Sequence, residues 1–104
     1  MNVEKLRSLL GNDDKLVHKF LEMFKTEMPK QLDLLLEAMD QSDWENISII
    51  AHGIKSQAKY LDLIEIASVA SDLEICADEK DDLDSIPIYL FDLSKMLQEV
   101  IETI

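Results

Sequence analysis

Hydrophobic positions recur at three- and four-residue intervals through nearly the whole chain, the period of helices buried along one side. Between Ile47 and Leu61 the pattern is clearest: Ile47, Ile50, Ala51, Ile54, Ala58 and Leu61 form one stripe. His52, Lys55, Ser56 and Lys59 fall on another face, about 140° from the middle of that stripe, and are expected to look into solvent.

The same period organises the rest. Asn2 can cap a short first helix through Leu10, with Val3, Leu6, Leu9 and Leu10 on its apolar side and Gly11 ending it. A second helix is expected to start at Asn12, where Asp13 and Asp14 meet the positive end of the helix dipole. Its apolar positions are Leu16, Val17, Phe20, Leu21, Phe24, Met28, Leu32, Leu35, Leu36 and Met39, with a kink or a one-residue break at Pro29. Ser42-Asp43-Trp44-Glu45 has capping-box spacing and opens the central helix, with Ser42 as its cap. That helix should stop near Leu61, with Asp62 capping a fourth helix whose stripe is Leu63, Ile66, Ala67, Ala70, Leu73 and Ala77. The charged run Asp78–Asp82 reads as a solvated connection to a last helix from about Ser85, with Pro87 in its first turn.

Four amphipathic helices with short connections bury their stripes best as an all-α, up-down antiparallel four-helix bundle, the short N-terminal helix covering one end. Composition agrees: 104 residues suit one domain spanning 1–104, 47% of them are hydrophobic, and there are only two glycines and two prolines. The formal charge of −12 disfavours nucleic acid as a partner. No apolar run reaches the roughly 20 residues of a membrane span, and no basic, then apolar leader opens the chain, so a soluble, cytoplasmic protein is expected. The single cysteine, Cys76, reads as a small residue at the edge of a helix face, and no Cys/His pair has metal-ligand spacing. His18, beside Val17 and Lys19, stands in no motif and reads as a surface or boundary residue; Met23, Met28, Met39 and Met96 read as core or boundary filler.

The candidate chemistry lies at His52. A mid-helix imidazole on the wet face is not placed as a core or capping histidine is, and near pH 7 much of it is neutral and nucleophilic. Lys55 and Lys59, three and seven residues on, flank it on the same side, an arrangement suited to a doubly charged phosphoryl group. The stretch Ala51-His52-Gly53-Ile54-Lys55-Ser56-Gln57-Ala58, with Leu73-Glu74 on the following helix, resembles the signature of histidine phosphotransfer (HPt) domains, the helical phosphocarriers of two-component phosphorelays. Phe20, Phe24, Pro29, Leu32 and Asp43-Trp44 are similar to that family in type and spacing.

The resemblance implies that His52 takes the phosphoryl group on the ring nitrogen farther from the backbone. Lys55 would balance its charge beside it, and small Ser56 would leave room for phosphate and partner. Lys59 joins the phosphate-stabilising set, while Ile49, about 150° off the core stripe, and Gln57 are the candidate docking residues. The partner implied is the receiver domain of a response regulator, a hybrid sensor kinase or both, engaged by a monomer. The receiver would supply the acidic pocket and the metal, since no Gly-rich phosphate loop, ATP site or carboxylate cluster for Mg²⁺ is found here. The chain thus reads as a phosphocarrier needing no cofactor or metal of its own, and not as an enzyme. Asp62 departs from the family, which commonly has glycine there, but Asp tolerates left-handed backbone geometry. Two alternatives stay open: an adaptor that binds a receiver or kinase without carrying phosphate, and a bundle that self-associates through exposed Ile49.

Overall fold

The computed structural model describes residues 1–104. Its elements are α1 (Glu4–Leu9), α2 (Asp14–Asp40), α3 (Trp44–Tyr60), α4 (Ile64–Glu79), a 3₁₀ turn (Leu83–Ser85) and α5 (Ile86–Thr103), with no strand. Helices α2 to α5 form a ring in which α3 packs on α2 and α4, and α5 on α4 and α2. The α3/α4 and α2/α5 seams therefore lie on opposite sides. The particle is 42 Å long and about 20 Å across, its length set by α2, whose 27 residues span about 40 Å.

The connections share one device. Gly11, Ser42 and Asp62 each have positive φ, at 67°, 53° and 58°. Each follows a helix end, and the N–H of the next residue reaches a carbonyl in the last turn: Asn12 to Arg7, Asp43 to Ala38 and Leu63 to Ala58, at 2.8, 2.8 and 2.9 Å. This left-handed closure satisfies carbonyls that a helix otherwise leaves without partners. It also displaces the expected caps. Asn12 and Ser42, at φ 60° and 53°, take part in closing α1 and α2, so capping passes to Asp13, which accepts from Lys15 and Leu16 N–H, and to Asp43, which accepts from Asn46 N–H. Asp62 is spent in the same way: Leu63 stands at the start of α4 with no capping side chain. At α1 the N-cap position is Val3, one residue later than expected, while Asn2 Oδ1 accepts from Glu4 N–H at 2.9 Å.

Pro29 does not break α2, which runs unbroken from Asp14 to Asp40. The ring lies on the exposed side of the helix, where water can meet the carbonyl left without its amide partner. The last helix follows expectation, with Pro87 in its first turn. The run 78–82 is only in part a connection: Asp78 and Glu79 close α4, and Lys80 and Asp82, both left-handed, make the turn.

One core joins all the helices, with Phe24, Met28, Leu35, Ile47, Ile54, Leu73, Ile86, Leu93 and Leu97 almost wholly buried. Every member of the stripe expected for α4 is buried, and so are Leu6 and Cys76. Four residues expected on apolar sides, or as filler, are instead exposed: Leu9, Leu16, Met23 and Leu36. Each follows the helical period of its neighbours, but the core is narrower than the apolar arc, and these edge positions remain outside it.

Candidate functional site

Many of the buried residues of α3 and α4 are small. Ala51 and Ala58 on α3 face a side of α4 that carries Ala67, Ala70 and Ala77, and these two helices make the most extensive interhelical contact of the fold. Short side chains let the backbones approach, so groups on the rim of each helix can reach the other. Ser48, the only buried polar residue, donates its hydroxyl to the Asp78 carboxylate. One turn further along α3, His52 Nδ1 lies 2.8 Å from Glu74 Oε2. As α3 advances by four residues its partner on α4 retreats by four, so the two helices are antiparallel.

His52 is the exposed end of this cluster, its side chain 61% accessible against 16% for Glu74. Lys55, expected to look into solvent, is instead largely covered, 19% accessible, and its Nζ donates to Glu74 Oε1 at 2.5 Å. A lysine at the margin of the wet face has a stem long enough to lie back along the seam toward the nearest anion. Each Glu74 oxygen thus has one partner. Partial burial pushes the Glu74 carboxyl up, but the hydrogen bonds from Lys55 and His52, with their charges, outweigh it and hold it below its ordinary range.

Glu74 acts on His52 in turn. A carboxylate accepts and cannot donate, so Nδ1 must carry the proton in the bond between them. The neutral ring is then fixed with its lone pair on Nε2, the nitrogen farther from the backbone. Gly53 follows His52 on the exposed surface, and a Cβ built there would meet nothing within 4 Å, so the space beside the ring is open.

Of the other site candidates, Lys59 and Ile49 are exposed, Ile49 at 62%, while Ser56 and Gln57 are half-buried. Lys59 takes no part in the ion pairs, and neither Ser56 nor Lys59 enters the His52–Glu74–Lys55 cluster. Phe20 on α2 meets the Tyr60 ring edge-on, centroids 6.2 Å apart, which ties the end of α3 to α2. His18 is exposed, as expected. The functional residue that sequence reasoning passed over is Glu74. It stands inside the resembling motif, yet its pairing with His52 needs the α3/α4 register, which no periodicity within one helix contains.

An exposed imidazole with Nδ1 against a carboxylate that also holds a lysine, on a small helical bundle, is the arrangement that the resemblance to phosphotransfer domains leads one to expect. The comparisons agree: the family model of the Hpt domain matches residues 19–103, and the chain belongs to that family. Only α1 and the start of α2 lie outside the match. No curated protein and no solved structure gives a match. Membership gives the chain a phosphotransfer role in two-component signalling; Hpt domains are phosphocarriers without ATP sites of their own, and they interact with receiver domains of response regulators. No helix is long and apolar enough to cross a membrane.

Proposed function

We propose that this protein accepts a phosphoryl group on His52 Nε2 from the aspartyl phosphate of a receiver domain and passes it to or from such an aspartate in a multistep phosphorelay. The observation that carries this reading is the 2.8 Å contact between His52 Nδ1 and Glu74, which assigns the proton of the neutral ring to Nδ1 and its lone pair to Nε2, on an exposed side chain. In the accepting direction the Nε2 lone pair attacks phosphorus, the N–P bond forms as the bond to the aspartyl oxygen breaks, and the carboxylate leaves. The Nδ1 proton stays in place. The ring gains positive character as it reacts, and the Glu74 carboxylate compensates it where it develops.

Lys55 is the neighbouring cation. Its Nζ is held on Glu74 before transfer and lies one helical turn from His52, so it can swing from carboxylate to phosphate without leaving the seam. Ser56 and Lys59 flank this position, and Ile49 and Gln57 border the face on which a receiver would seat. We place the reaction in the cytoplasm and take the protein to act as a monomer, in one domain spanning 1–104.

The test is phosphoryl transfer from a panel of phosphorylated receiver domains to the natural sequence and to His52→Gln. Label that is acid-labile and base-stable on the natural protein, and absent from the variant, is the expected result. Label persisting on folded His52→Gln would move the acceptor elsewhere. Stable receiver binding with no transfer to the natural sequence would favour an adaptor that carries no phosphate.

A further inference from the structure

On the side of the ring opposite His52, the α2/α5 seam is not closed. Two adjoining depressions, of about 210 and 340 Å³, run along it and share Leu32, Leu36 and Ser94. Met39, Pro87 and Phe91 lie at one end, Pro29 and Ile101 at the other. Two large apolar side chains flank the same groove and stay accessible, Phe91 at 69% and Leu36 at 49%.

The edges of the groove are acidic. Asp33 and Glu102 line it directly, and Asp40 lies one turn beyond Leu36 on the same side of α2. None of these three carboxylates takes part in an ion pair. Lys30, the nearest cation on α2, is engaged by Glu27 at 3.5 Å. An apolar floor between uncompensated carboxylates attracts a ligand of the opposite pattern, apolar in the middle and basic at the margins. From Pro29 to Met39 the groove follows about 15 Å of helix, the length of a ten-residue helical segment. A second copy of this chain is the wrong partner, since it would bring Asp33, Asp40 and Glu102 against the like charges of a molecule already at −12.

We propose that the α2/α5 groove is a second docking surface, which takes a basic amphipathic helix from a partner protein, independently of the receiver-facing side at His52. Such a helix would set apolar residues at i, i+3, i+4 and i+7 into the groove, with Phe91 and Leu36 as its main contacts, and place Lys or Arg beside Asp33, Asp40 and Glu102. Two partners could then occupy opposite sides of the bundle at once.

The test uses the full chain and a designed 14-residue helical peptide, Leu at those four positions and Lys flanking them, with a scrambled peptide of the same composition as control. NMR shift changes confined to Leu32, Leu36, Phe91 and Ser94, saturable, and absent with the scrambled peptide, are expected. Phe91→Ala should weaken binding about tenfold or more. Asp33→Asn with Asp40→Asn should weaken it less and flatten its salt dependence, while phosphoryl acceptance at His52 stays unchanged in all three substitutions. Equal binding of the scrambled peptide, shifts centred on His52, or no shift at millimolar peptide would overturn the proposal. So would sedimentation showing self-association that Phe91→Ala abolishes, because the occupant would then be a second copy.

Discussion

The two opposite seams of the ring are built on different principles. Between α3 and α4, alanines bring the backbones together and polar groups cross the rim: Ser48 to Asp78, His52 and Lys55 to Glu74. Between α2 and α5 the contact is less extensive, no side-chain hydrogen bond or ion pair crosses, and exposed Leu36 and Phe91 line a groove. Hydrogen bonds are directional and fix one register and one ring orientation, whereas apolar contact is not directional. A histidine held with one nitrogen on a carboxylate and the other outward is therefore a feature the first seam can fix. The second is suited to being covered.

The largest effect that sharpens this contrast is on stability, at two adjacent residues of α2. Leu35 is wholly buried and Leu36 is half-exposed in the groove. Leu35→Ala should cost about 2–5 kcal/mol in denaturant unfolding, and Leu36→Ala under about 1 kcal/mol. Similar losses at both would mean that the groove belongs to the core.

On the polar seam, Glu74→Ala should slow phosphoryl acceptance roughly 10- to 100-fold, by analogy with the loss of a carboxylate that orients a metal-binding histidine. Nitrogen NMR of the His52 ring supplies the specific readout, which should change from a single Nδ1-protonated tautomer to a mixture. An unchanged tautomer in the variant would remove Glu74 from the role of orienting the ring.

A smaller effect is expected with acid. Because the Glu74 carboxyl is held below its ordinary range in the folded protein, its pairing contributes fully above that range and is lost as pH falls through the depressed value. Following the Glu74 carboxyl carbon by NMR should show this low midpoint, and Lys55→Met should move it upward. A midpoint unmoved by Lys55→Met would mean that the lysine does not hold the carboxylate.

Gly53→Ala should change the fold least. A Cβ there meets nothing, and alanine within a helix gains about 1 kcal/mol over glycine, so thermal unfolding should move slightly upward. Slower transfer in this more stable variant would identify Gly53 as a point where the receiver comes close to the histidine.

Much of this was legible along the chain. The α3 period alone places His52 and Ile49 on the outside, and the α4 period names a stripe that is buried throughout, because both depend only on the angle between successive residues of one helix. The left-handed turn at Asp62 was implied by the family resemblance together with the tolerance of Asp for positive φ. The caps were missed by one residue at Asn12 and Ser42, since each is taken up in closing the helix before it, a competition between neighbours that a cap motif read forward does not register. Leu16 and Leu36 were placed inside because periodicity gives a direction but not the width of the core.

What the sequence by itself determined is the helices, their apolar faces and the family, all carried by local spacing and residue type. Only the tertiary structure decided that Glu74, 22 positions from His52, meets its Nδ1, that Lys55 lies along the seam and not in water, and that the α2/α5 side stays open. Those outcomes depend on how far one helix slides along another and how closely the two approach. Both are set by the volumes of side chains on different segments packing together, a property that no single stretch of the chain contains.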